Sequence, residues 1–154
     1  MDITYTQTKH MDYVGFRLSN VAGRLRNIKN VMLNECGISN LTVDSTVGHL
    51  IIVSRALWDS DLSKIRPARI TLLGNGPYVN LPPHITCIES PSTQEQEEIM
   101  RNKIKVDSVA SWDGEYAEFA AAISARIVRI NHSFVNLNCA HKSVFDLYPL
   151  SKYE

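Results

Sequence analysis

Between Trp112 and Asn138 the apolar residues keep time. Ala120, Ile127 and Phe134 recur every seven residues, and Tyr116, Ile123, Ile130 and Leu137 repeat that interval three or four places away. On an α-helix both rows fall on one stripe. As a strand, the same residues would mix Arg126, Val128, Ile130 and His132 on one face and Ile127, Arg129, Asn131 and Val135 on the other. The periodicity therefore predicts a long helix near 114–136. Complementary charges, which a coiled-coil seam wants beside such a stripe, are missing: the flanks carry Phe119, Arg126 and Ser133 on one side and Ser124 and Asn131 on the other. A helix lying across a sheet and buried by Phe119, Ile123, Ile127, Ile130 and Phe134 fits better.

The amino-terminal arm alternates Ile3, Tyr5 and Gln7 with Thr4 and Thr6, and Asp12 to Leu18 is rich in β-formers, so two short strands are expected there. Val21, Leu25, Ile28 and Met32 then step by four, three and four, with Ser19 or Asn20 as cap and Gly37 as stop. This spacing predicts a helix over Asn20 to Glu35. Residues 44–58 satisfy both templates. Leu50 to Val53 looks like a buried strand by its β-branching, and a strand through Ile51 to Val53 is expected, followed by a short helix near Asp59 to Ile65 that Pro67 ends. Arg69 to Leu73 and His84 to Glu89 read as further strands, separated by the turn Gly74-Asn75-Gly76-Pro77. Ser92-Thr93-Gln94-Glu95 is a capping box that starts a helix over Thr93 to Lys105. Its acidic residues come early and its basic residues late, as the macrodipole favours. No internal repeat stands out.

Together these elements predict an α+β fold in a single domain, 1–154: a mainly antiparallel sheet covered by about three helices. A β-forming arm at about 1–12 and an apolar tail at about 142–154 complete it.

Sixteen Lys and Arg balance sixteen Asp and Glu, so no whole-molecule field draws the chain to nucleic acid or an anionic membrane. Arg24, Arg26, Lys29, Arg126 and Arg129 are the residues a nucleic-acid-binding role would use; solvated charge explains them as well. Three cysteines without a close pair fit reduced thiols. The start, MDITYTQTKH, lacks the basic flank and apolar core of a signal peptide, and no run approaches the ~18 apolar residues of a membrane span. A soluble protein, intracellular or incorporated into a virion, is expected.

Chemistry has no focus in this chain. His84-x-x-Cys87 and Cys139-x-His141 offer four nitrogen and sulfur atoms for a tetrahedral zinc, but the second pair is tighter than zinc loops use, and Cys is commonly a buried apolar residue. His49, amid Val47 to Val53, and His84 are the candidates for a general base beside an acid or a cysteine. No cofactor is expected. What the chain does carry is an apolar, aromatic carboxyl end, Val144 to Leu150 and Tyr153, whose large side chains each forfeit roughly 1.5–3 kcal/mol if left in water. They need shelter against their own domain or a neighbour. The leading expectation is a non-enzymatic structural or assembly subunit of a homo-oligomeric complex, such as a virion component. It would self-associate through its termini, with Tyr5, Tyr148, Leu150 and Tyr153 as contacts and Asn75 to Leu81 as a secondary surface. A small hydrolase with a site assembled in space is the alternative, and a nucleic-acid-binding module the third.

Overall fold

The structure, a computed structural model, describes residues 2–5, 9–54, 60–111 and 115–129. In chain order these form β1 (Asp2–Tyr5), β2 (Met11–Arg17), β3 (Asn20–Leu25), β4 (Ile28–Asn34), β5 (Leu41–Val43), β6 (His49–Ser54) and β7 (Ser60–Asp61). Then come β8 (Ile70–Gly74), β9 (Tyr78–Val79), β10 (His84–Glu89), α1 (Thr93–Arg101), β11 (Lys105–Ser111), α2 (Ala117–Ala122) and β12 (Arg126–Arg129). All the strand pairings among them are parallel.

One sheet dominates. It has seven strands in the order β2-β4-β6-β8-β10-β11-β12, so the chain returns to it again and again, one strand further along each time. Successive register partners are Met11 and Ile28, Asn30 and His49, Leu50 and Ile70, Thr71 and Cys87, Cys87 and Ser108, Ser108 and Arg126. The coils are thus 17, 19, 20, 16, 21 and 18 residues long. This is a parallel solenoid in which each coil packs mainly on its neighbours. The return limb changes along it. The first coils come back through the three-stranded sheet β1-β3-β5, the middle ones through the β7–β9 pair and a bridge from Val43 to Ile65, and the last through α1 and α2.

Both limbs bury one core. Phe16, Leu33, Ile52, Leu72, Ile88, Val109 and Ile127 lie side by side in register on seven adjacent strands. Val21, Leu25, Leu41 and Val43 close the core from the small sheet, and Ile99, Phe119 and Ala120 from the helices. Several corners take left-handed residues that are not glycine: Leu18 (φ 52), Asn27 (φ 58) and Glu35 (φ 54) flank β2 and β4, and Ser124 (φ 57) precedes β12. Gly74 (φ 81) combines such a corner with a close approach, for a methyl group there would collide with the carbonyl oxygen of Ser54.

The mainly antiparallel sheet with about three helices is therefore corrected to parallel sheets with two helices among the described residues. Residues 20–35 are two strands, not a helix. Val21, Leu25 and Ile28 do converge on the core, but they do so because the chain turns a corner at Asn27, which brings both strands' apolar sides to the same interior. The long helix near 114–136 is likewise overturned. α2 ends at Ala122, Ser124 turns left-handed, and the β-branched Ile127-Val128 continue as β12; positions beyond 129 lie outside the described residues. Asp59 to Ile65 gives no helix either: Ser60–Asp61 is a strand and Ile65 a bridge, while Asp59 lies outside the described residues. The strand expected through Ile51 to Val53 lies inside β6, that expected over Arg69 to Leu73 forms β8 one residue later, and His84 to Glu89 and the capping box at Ser92 stand as the sequence predicts, with α1 ending at Arg101 rather than Lys105. No helix among the described residues is long and apolar enough to cross a membrane.

Candidate functional site

Strand alternation gives the seven-stranded sheet a second face, turned away from the core. On it Met32, Ile51, Val53 and Leu73 form an apolar cluster of their own with Tyr13 packed beside it. These four side chains are only 6, 2, 1 and 4% exposed. Buried polar groups continue the face toward later strands. His49 shares a hydrogen bond between Nε2 and the Thr71 hydroxyl at 2.8 Å. Cys87 lies next to Thr71 in register and Ser108 next to Cys87, both buried, and the Ser108 hydroxyl donates to the carbonyl of Thr86 at 3.0 Å.

Burial sets the protonation states here. It pushes the His49 imidazole down to about 3, with Arg69 adding to the effect, and the Cys87 thiol up to about 12. An imidazole that stays neutral to such acidity is a poor proton acceptor, and a thiol held protonated is a poor nucleophile or metal ligand. His84 stands apart at the start of β10, half-exposed, with Nε2 3.0 Å from Asp107 Oδ2 on β11. Here a sequence-nominated base meets an acid.

The sequence-nominated zinc set is not assembled among the described residues. Cys87 is wholly buried while His84 faces solvent in part, and Cys139 and His141 lie outside the described residues. No group of three potential ligands occurs among the described residues. The basic residues divide between the early and late coils: Arg24, Arg26 and Lys29 are exposed on and near β3 and β4, and Arg126 on β12. Asn75 to Leu81 is pinned from below. The Glu89, Glu95 and Glu98 carboxylates accept the backbone N–H groups of Gly74, Tyr78 and Leu81 at 2.8, 2.7 and 2.6 Å, and the Tyr78 ring is buried with its hydroxyl donating to the Leu73 carbonyl. Its exposed positions are Asn75 and Asn80.

Both ends of the large sheet are open edges among the described residues. β2 pairs only with β4 and β12 only with β11. Apolar side chains stand exposed there: Met11 at 38% and Leu18 at 61% by the first coil, and Ile127 at 40% on the last. Tyr5, the nominated contact of the arm, belongs to the first end. Its ring meets Phe16 edge-on at 5.4 Å and 80°, and its hydroxyl reaches the Met11 sulfur at 3.0 Å. Tyr148, Leu150 and Tyr153 lie outside the described residues. A groove of about 400 Å³ beside the small sheet is bordered by Asp2, Asn20, Gly37 and Asn40, with the Asn20 amide donating to the Asp2 carboxylate at 2.9 Å. The chain matches no family model, no curated protein sequence and no solved structure.

The sequence nominated His49, His84 and Tyr5 and pointed to neither the sheet edges nor the second face. The alternation of Leu33 and Ile52 with Met32, Ile51 and Val53 was the available signal, obscured because both sets are apolar.

Proposed function

We propose that the protein is a non-catalytic assembly subunit whose copies join end to end through the two edges of the seven-stranded sheet. The observation that carries this reading is that both edges of the sheet are unpaired among the described residues, each with an exposed apolar side chain. An unpaired edge offers a row of backbone donors and acceptors to another chain. Because the strands run parallel, β12 of one copy can continue into β2 of the next in the same sense as the pairings inside the sheet. Phe16 of the second copy would then follow Ile127 of the first in the core column. Such a contact uses two different patches, so it builds rings or filaments rather than a closed two-fold dimer.

Mass measurement over a wide concentration range tests this. Assembly that grows with concentration, and is abolished by Ile127→Lys and equally by Met11→Lys, is the expected result; a strict monomer at high concentration contradicts it. A second reading, a small hydrolase, is favoured only by the His84–Asp107 pair. It expects ester or peptide hydrolysis that His84→Gln and Asp107→Asn each abolish, and no turnover by the wild type removes it.

A further inference from the structure

The chain is neutral overall, but the solenoid sorts its charges. Because the strands of the large sheet run parallel, every coil enters it at one rim and leaves it at the other, so residues far apart in sequence share a rim. The entry rim collects cations. Arg26 and Lys29 flank the start of β4, Arg66 and Arg69 precede β8, Lys103 precedes β11 and Lys105 opens it, level in register with His84 of β10. These six cations are exposed. Where the strands leave the sheet the sign reverses among the described residues: Glu35 follows β4, Glu89 ends β10, Glu95 lies in the first turn of α1 and Glu115 precedes α2, against Arg17 and Arg129.

The acids near the entry rim are engaged or peripheral. Asp44 accepts from the Thr46 amide and hydroxyl, Glu98 from the Leu81 amide, and Asp107 pairs with His84, while Asp12 stands at the β2 end. Among the described residues no salt bridge joins Lys29, Arg66, Lys103 or Lys105 to an acid. The Arg66 guanidinium is held at the rim by donating from Nη1 to the Leu62 and Ile65 carbonyls, which leave its charge uncompensated.

We propose that this entry rim docks a nucleic-acid duplex by its phosphate backbone, without reading sequence. From Lys29 on β4 to Lys105 on β11 the row crosses four inter-strand spacings, roughly 19 Å. That is about half a helical turn of duplex. Cations alone suffice for such a contact. Exposed aromatic or large apolar side chains, on which single-stranded bases or a lipid surface would draw, are absent from the corners 26–29, 44–48, 64–69, 81–84 and 102–105. Of the basic residues nominated from sequence, only Arg26 and Lys29 belong to the row. Arg24 lies on β3 and Arg126 level with Ser108, further along the sheet.

Anisotropy of a short labelled DNA duplex of arbitrary sequence, titrated with the full-length protein, is the test. Affinity is expected to fall at least about 100-fold between about 50 and 200 mM salt, as four phosphate contacts give. Lys29→Gln with Lys105→Gln, at the two ends of the row, is expected to weaken binding at least about tenfold at the lower salt and to make the salt slope shallower by about 1.8. Arg17→Gln at the opposite rim is expected to change neither. No binding at the lower salt overturns the proposal, as does binding that the double variant leaves untouched or that Arg17→Gln weakens equally. Capture by vesicles rich in anionic lipid, with none by the duplex, would overturn it too, since the rim would then meet a membrane.

Discussion

The two faces of the seven-stranded sheet are made by the same strands, yet they solve burial differently. The inner face runs aliphatic through its middle, Leu33, Ile52, Leu72, Ile88 and Val109 in one column, and it is shared with the return limbs. The outer face begins apolar at Met32 and Ile51, then turns polar along Thr71, Cys87 and Ser108 in the next positions of one register column. Dispersion and water exclusion suffice on the first. On the second each buried polar group needs a partner, as His49 finds in Thr71. A strand buried on both sides loses the alternation that reveals strands in sequence, and the described residues have five side by side, β4, β6, β8, β10 and β11.

The largest expected difference between the faces is in acid. The unfolded chain binds a proton on His49 below about 6.5, whereas in the folded protein the imidazole stays neutral down to about 3, so unfolding takes up a proton across that interval. Stability is therefore whole above 6.5 and falls as the pH drops toward 3, by roughly 4–5 kcal/mol from this group alone. His49→Gln, which offers Thr71 an amide that does not titrate, is expected to flatten the acid limb of a urea-denaturation series run from pH 7 to 3. An unchanged slope would place His49 in water.

Truncation compares the faces directly. Ile52→Ala on the inner face is expected to cost about 4 kcal/mol and Ile51→Ala, one residue away on the outer face, about 3 kcal/mol, both read from denaturant midpoints at pH 7. A cost under ~0.5 kcal/mol at Ile51 would make the outer face a solvent surface. The smallest effect lies at the corner that carries the chain out of β4. Glu35, exposed and left-handed, is strained by its Cβ, so Glu35→Gly is expected to gain roughly 0.5–1 kcal/mol in the same assay.

Strands bounded by obvious punctuation were legible: His84 to Glu89 follows Pro82-Pro83, and Ile70 to Gly74 follows Pro67 and precedes Gly76-Pro77. The solenoid itself was not, for two physical reasons. Its corners place residues three and four apart on one interior, as a helix would. Ile28 and Val31, Val47 and Leu50, Ile85 and Ile88, and Val106 and Val109 are all core pairs at a spacing of three, and each belongs to the approach or start of a strand. The coils also vary from 16 to 21 residues with return limbs of strand, bridge or helix, so the repeat never falls on a fixed period. A trace of it survives in Ile28-x-x-Val31-x-Leu33 and Val47-x-x-Leu50-x-Ile52, the spacing used by leucine-rich coils. Of the candidate sites, the two histidines could be nominated from sequence by their chemistry and Tyr5 by its place in the β-forming arm. The sheet edges could not, since an edge is a property of strand order alone.

Disulfide trapping tests the parallel register and the two faces at once. Thr71 and the natural Cys87 are register partners on adjacent strands of the outer face, close enough for a disulfide, whereas Leu72 points to the inner one. In protein refolded in a thiol–disulfide redox buffer, where the thiols react before they are buried, and mapped by peptides, Thr71→Cys is expected to link position 71 to Cys87, and Leu72→Cys to form no bond with it. A Leu72→Cys link to Cys87, or a folded Thr71→Cys protein that oxidises without joining the two positions, would contradict the solenoid.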